Sequence, residues 1–151
     1  MLTISAQTKL DKVVARLNKK SIPYIYSNAI LKTDDWLFLD ARKKEEYTTS
    51  HLKNAIWVGY KNFDVATVLN AIRDKKKPIV VYCSIGIRSE NIGEKLAAMG
   101  FINVKNLYGG IFEWKNNGKP VYNNKEKETD SVHTFNKYWG RLLHSGIKVN
   151  N

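Results

Sequence analysis

Two short apolar runs, Trp36-Leu37-Phe38-Leu39, which ends in the acid Asp40, and Pro78-Ile79-Val80-Val81-Tyr82, constrain the fold most. A strand with one face in water alternates apolar and polar side chains; these runs do not alternate. Unbroken runs of this length suit strands buried on both faces, as in a parallel sheet between two layers of helix. The segments around them have helical periodicity. Leu10, Val13, Val14 and Leu17 fall at i, i+3, i+4 and i+7, so a helix is expected from Thr8 to Lys20, with Thr8 and Asp11 as a capping box. Asp64 can cap a helix running to about Asp74, with Val65, Val68, Leu69 and Ile72 as its stripe. A helix from Ser89 to Met99 closes at Gly100, and a last short one holds Ile111, Phe112 and Trp114 after Gly109-Gly110.

Further strands are expected within Ile22–Ile30, at Ala55–Gly59 and at Val104–Tyr108, and a short charged helix over Lys43–Thr48. Strands alternating with helices give an α/β three-layer fold with a mostly parallel central sheet. Three parts follow: an N-terminal helix over 1–21, the α/β domain over 22–122, and a linker with an aromatic-rich extension over 123–151. Residues 123–130 are polar and charged, hence the linker. Val132, Phe135, Tyr138, Trp139, Leu142 and Leu143 lie at helical spacing, and that apolar tail is expected to pack on the domain.

Length and charge narrow the function. The chain has 151 residues and is 43% hydrophobic, enough for one core. No stretch approaches the ~20 apolar residues of a membrane span. Met1 to Ala6 lack the basic start and apolar run of a secretory leader, and a single cysteine permits no internal disulfide, so a cytoplasmic location is expected. The net charge of +11 raises nucleic acid as a partner, but it is spread as +3 over 1–35, +6 over 36–122 and +2 over 123–151. With no nucleic-acid module motif, the charge points to anionic small substrates or acidic surfaces. His51, His133 and His144 show no metal-ligand spacing with the one cysteine, so neither metal nor organic cofactor is expected.

The lone cysteine, Cys83, directly follows the run Ile79–Tyr82. Open α/β sheets bind ligands at the carboxyl ends of their strands. The loop Ser84-Ile85-Gly86-Ile87-Arg88-Ser89 then leads into a helix. Its N–H groups can converge on one point, the helix start adds positive potential, and a cysteine there is expected to be held as thiolate. A solitary cysteine is most often a small buried hydrophobe. Gly86 to relieve crowding, Arg88 for charge and Ser89 to cap the helix weigh for a reactive one.

Four blocks in order carry a family resemblance: Leu39-Asp40-Ala41-Arg42 with Glu45-Glu46-Tyr47 and Ser50-His51-Leu52-Lys53-Asn54-Ala55; Pro78 to Ser89; Lys95 to Phe101; and Leu107 to Trp114. Over roughly residues 22–122 the chain resembles the single-domain rhodanese-like sulfurtransferases. The resemblance implies a rhodanese-like fold and a sulfurtransferase that moves a sulfane sulfur through a Cys83 persulfide. The donor would be thiosulfate or a persulfide, and the acceptor cyanide or a thiol, possibly on a protein.

Asp40 and Arg42 would organise the fold around the site, with Asp40 the candidate carboxylate bracing Arg88. His51 would fix a turn, the alternative being a catalytic base. Ser50 and Asn54 stand where the family often has glycine, and Asn tolerates a positive φ. Ile85 and Ile87 make the loop more apolar than in many members, which favours a persulfide donor over thiosulfate. Two other classes remain at this stage: a phosphatase or arsenate reductase of the same fold, and a non-catalytic binding module. The phosphatases place five residues between Cys and Arg, whereas four stand between Cys83 and Arg88.

Overall fold

The computed structural model describes residues 8–150. Met1 to Gln7, where the leader reading falls, and Asn151 lie outside the described residues. Helix α1 spans Lys9–Leu17, strand β1 Tyr24–Ile25, β2 Leu37–Asp40, α2 Lys44–Thr49, β3 Ile56–Trp57, α3 Val65–Ala71 and β4 Ile79–Tyr82. Helix α4 follows at Ile87–Ala98, then β5 at Val104–Leu107 and α5 at Gly110–Asn116. The last elements are β6 (Val121–Tyr122), β7 (Glu128–Thr129), β8 (Ser131–His133), α6 (Lys137–Gly140) and β9 (Ile147–Val149). Among the described residues, no helix is long and apolar enough to cross a membrane.

The main sheet has the order β1-β5-β4-β2-β3, and all its pairings are parallel. β4 therefore lies in the middle, which explains why every residue of its run is apolar and buried. Pleating splits the core in two. Phe38, Val80 and Tyr82 join α1 and α5 through Leu10, Val14, Ile111 and Phe112. Leu39, Ile79 and Val81 join α3 and α4 through Val68, Ile72, Ile92 and Leu96. The sheet is thus the middle of three layers.

Local chemistry sets the boundaries. Thr8 and Asp11 form the expected reciprocal cap, with Thr8 N donating to Asp11 Oδ2 at 3.0 Å and Asp11 N to Thr8 Oγ1 at 3.1 Å. Asp64 caps α3 by accepting from Thr67 N at 3.0 Å. Both helices end earlier than expected, and their outer stripe residues Leu17, Val65 and Leu69 are exposed. Asn54 takes φ +60°, as its place in the turn predicts. Ser50 is extended at φ −166°, a conformation that needs no glycine.

The C-terminal part differs most from the sequence reading. Residues 123–130, read as a linker, form much of a hairpin in which β6 pairs antiparallel with β7. The tail, whose apolar residues lie at helical spacing, is built from β8, the single turn α6, and β9, with β8 and β9 paired in parallel. Val132, Leu142 and Leu143 are nonetheless buried in the same cluster as Phe112 and Trp114. The extension is continuous with the main core. Only Val132 of the spaced apolar residues lies in a strand; Tyr138 and Trp139 are in the single turn α6, and Phe135, Leu142 and Leu143 are in the connections around it.

Candidate active site

Cys83 stands at the carboxyl end of β4, between that strand and α4. Its side chain is a free thiol, 1% exposed. Gly86 N–H points at Sγ from 3.2 Å. The Ser89 hydroxyl donates to Asn106 Oδ1 at 2.6 Å, while its oxygen lies 3.5 Å from Sγ, within reach of a thiol proton. The loop needs its glycine: Gly86 sits at φ +104° as the N-cap of α4, a conformation that strains any residue with a Cβ. Gly86, not Ser89, holds the cap, because α4 begins at Ile87, earlier than expected.

The loop is held from three sides. Gly86 O accepts from Asn106 Nδ2 at 2.9 Å and from Asn18 Nδ2 at 3.1 Å. The carbonyls of Cys83 and Ser84 accept from Ile111 N at 2.9 Å and Phe112 N at 3.1 Å, at the start of α5. Gly110 makes that approach possible, since a Cβ there would collide with the carbonyl oxygens of Cys83 and Ser84. Turning the carbonyls toward α5 leaves the opposite side of the loop to its N–H groups.

The third support is Arg88, and here the structure corrects the sequence reading. Its partner is Glu46 of α2, not Asp40. Nη1 donates to Glu46 Oε2 at 2.8 Å and Nη2 to Oε1 at 3.0 Å, a two-pronged fork. Nη2 also reaches Ser84 Oγ at 2.9 Å. Burial alone would raise the Glu46 carboxyl, but the hydrogen bonds and charge of Arg88, with the charge of Arg42, hold it below the usual carboxylate range. Burial would lower Arg88, yet its bond to Glu46, the Cys83 charge and Glu46's own charge push it up.

Asp40 is occupied by Arg42. Nε donates to Oδ1 at 3.0 Å and Nη2 to Oδ2 at 2.7 Å, both side chains being fully buried. Tyr82 OH donates to Asp40 Oδ2 at 2.7 Å and accepts from Leu52 N at 3.1 Å, while Arg42 Nη2 reaches Ser50 O at 2.7 Å. This cluster ties β2, β4 and the 50–55 turn together behind the site. His51 is buried with Nδ1 2.9 Å from Tyr47 O, so that nitrogen carries the proton. It stacks on Tyr47 and pairs through its backbone with Tyr122. It does not line the cavity at Cys83.

That cavity has a volume of about 200 Å³. Cys83, Ser84, Ile85, Ile87 and Arg88 line it from the loop, and Phe135 and Trp139 from the extension. The sequence reading had the loop but gave no site role to Glu46, Asn106 or Asn18, and it favoured plain packing for the tail that holds Phe135 and Trp139 over a cover for the site. Asn106 carried a signal, a neutral amide within the strand Val104–Leu107, whose purpose is visible only with Gly86 and Ser89 beside it. Glu46 stood next to Glu45, and only the face of α2 distinguishes them: Glu46 is buried and Glu45 exposed. Among the described residues, no group of three or more His, Cys, Asp or Glu is placed to hold a metal ion.

The model of the rhodanese-like domain family matches residues 26–117, more than half of the chain. This chain belongs to the rhodanese-like domain family. The thiosulfate sulfurtransferase GlpE of Coxiella burnetii is 30% identical over 96 residues, covering 64% of this rhodanese-like chain and 87% of GlpE. The tRNA uridine(34) hydroxylase of Hamiltonella defensa is 38% identical over 95 residues, 61% of this chain. The rhodanese-like chain spans only 27% of that hydroxylase. Among solved structures, a thiosulfate sulfurtransferase from Pseudomonas aeruginosa superposes with a TM-score of 0.62 at 23% identity, over 78% of this chain and 23% of that one. A rhodanese with anions from E. coli gives 0.50 at 28% identity, over 59% and 99%.

Proposed function

We propose that this rhodanese-like chain is a sulfurtransferase that carries a sulfane sulfur on Cys83. The observation that carries the reading is the placement of Sγ: it faces a cavity from the carboxyl end of the central strand, with the Gly86 N–H 3.2 Å away and the α4 N-terminus behind it. The relationship to GlpE, most of whose length the chain covers, supports the same chemistry. The activity of the hydroxylase relatives belongs to proteins of which this chain matches about a quarter.

In the first step the Cys83 thiolate attacks the outer sulfur of the donor. For thiosulfate, a bond forms between Sγ and that sulfur, the donor's S–S bond breaks, and sulfite leaves with the electron pair. For a persulfide, the leaving group is the donor's thiolate. The enzyme is left with a terminal persulfide anion at the loop, where the Gly86 N–H and the start of α4 stabilise negative charge. In the second step cyanide or an acceptor thiolate bonds to the outer sulfur, and the Cys83 thiolate leaves. No oxidant or reductant is consumed, and the two steps are separable. Cys83 is the chain's single cysteine, so the sulfur must leave to another molecule.

Arg88 and Glu46 position the loop in this scheme. With its fork on Glu46, Arg88 has its charge balanced, which disfavours both a free thiosulfate dianion and the tetrahedral oxyanion of a phosphatase. Intact-mass measurement after brief exposure to thiosulfate, and separately to glutathione persulfide, tests the reading. A gain of one sulfur is expected, absent in Cys83→Ser and removed by cyanide, with the persulfide the faster donor. No gain from either donor, together with phosphate-ester hydrolysis, would overturn it.

A further inference from the structure

The cavity at Cys83 is lined by a residue that core packing does not explain. Phe135 is a bulky side chain held at φ +69°, a left-handed conformation that costs such a residue energy. It is 38% exposed, so burial does not offset that cost. The surroundings impose the conformation. Phe135 N donates to His133 Nδ1 at 3.0 Å, and Asn136 N to Thr134 O at 2.7 Å. Asn136 then caps α6 through Trp139 N at 2.9 Å, which brings Trp139 to the same cavity. The Phe135 ring lies 5.1 Å from Arg88 Cζ and 4.9 Å from Lys43 Nζ.

Phe135 and Arg88 also line a second, larger groove of about 420 Å³. There Arg42 and Arg88 are matched by Asp40 and Glu46. Lys43, Lys44 and Lys61 are exposed and, among the described residues, form no ion pair; Glu45 opposes them singly. The two spaces share Arg88 and Phe135 in their lining, and the outer one adds polar and charged groups that the inner one lacks. The inner one has Ile85, Ile87, Phe135 and Trp139 as walls and no free cation. A cavity of about 150 Å³ admits benzene, so one of about 200 Å³ takes an aryl or branched alkyl group. The outer one suits an anion.

We propose that Phe135 and Trp139 of the C-terminal extension determine specificity. They would make the site select a sulfur borne on a compact apolar arm with an acidic group beyond it, seated at Lys43, Lys44 and Lys61. The substrate class is an arylalkyl or alkyl thiol acid, or its persulfide. The proposal rests on the sulfur-transfer reading, but its binding part is measurable without sulfur transfer.

The probe is 4-(methylthio)phenylacetate, a thioether that cannot exchange sulfur, titrated into the nitrogen-15-labelled chain. The Trp139 indole N–H resonance is expected to shift saturably. Binding should weaken at least about tenfold in Phe135→Ala, recover in Phe135→Tyr, and fall severalfold when the amide replaces the acid. On the persulfide-loaded enzyme, the ratio of discharge by 4-mercaptophenylacetate to discharge by cyanide should drop at least about tenfold in Phe135→Ala. A merely structural role would lower both rates together. Absence of a Trp139 shift in the native chain, or an unchanged ratio in Phe135→Ala, overturns the proposal. Thioether binding without any sulfur uptake by Cys83 would instead overturn the sulfur-transfer reading and leave the pocket assignment standing.

Discussion

Glu46 shows how much one buried carboxylate decides. Its side chain is fully buried, and both oxygens are taken by the Arg88 fork. Replacing it with glutamine removes the charge that balances Arg88 and leaves a mismatched donor in the fork. Breaking a buried pair of this kind costs about 3–5 kcal/mol. We expect Glu46→Gln to lower the urea midpoint accordingly and to slow persulfide formation, read by intact mass; Glu45→Gln, at the exposed neighbour, should do neither. Gly86 sets a second test. Gly86→Ala must hold φ near +104°, so a loss of about 1–3 kcal/mol and slower sulfur loading are expected. An alanine variant that loads at the native rate would show that the loop tolerates a side chain there.

At the scale of elements, four helices position the site, each differently. α4 presents its N-terminus, α5 takes the loop carbonyls, α1 contributes Asn18 from its C-cap, and α2 brings Glu46. The extension behaves as part of the core. Leu143 is 1% exposed and packs in the cluster that includes Phe112 and Trp114. Leu143→Ala should therefore destabilise the whole domain by about 2–5 kcal/mol in a single transition. An unmoved main transition in a circular-dichroism melt would mean that the extension unfolds by itself. The extension's role at the cavity could not be read from spacing alone. Phe135, Leu142 and Leu143 lie in connections before and after the single turn α6, and the pairing of β8 with β9 closes these connections into one unit that periodicity does not encode.

For the whole molecule, acid stability follows from the carboxylates. Glu46 and Asp11 are both held below their ordinary values; burial opposes this, and hydrogen bonds from Arg88 and from Tyr108 and Thr8 outweigh it. A carboxyl depressed in the folded state adds stability above its unfolded pKa, about 4, and that stability is lost as pH falls through the folded value. Glu113 works the other way: burial and the nearby Asp11 raise it, so its protonation on acidification returns some stability. Thermal midpoints should accordingly be nearly flat from about pH 7 to 5 and fall below about pH 4, where carboxylate loss adds to the repulsion of a chain already at +11. In Glu46→Gln the acid-side fall should be shallower than in the native chain. Equal slopes would mean that Glu46 contributes little to acid unfolding.

The sequence by itself determined the layers and the position of the sulfur. Unbroken apolar runs at 36–39 and 78–82 can be satisfied only where both strand faces are covered, and a cysteine directly after the second run stands at the sheet's carboxyl edge. Gly86 was legible for the same reason: local backbone requirements are written in local residues. The tertiary structure decided the pairings. Whether Arg88 meets Asp40 or Glu46 depends on how α2 packs against the loop, and both acids lie more than forty residues away in the chain. Burial then fixes the choice, because Asp40 is already held by Arg42 and Tyr82. Phe135 and Trp139 reach Cys83 only after the hairpin and β8 carry the chain back over α2. Distances across such long stretches of chain are set by packing, which periodicity and composition do not encode.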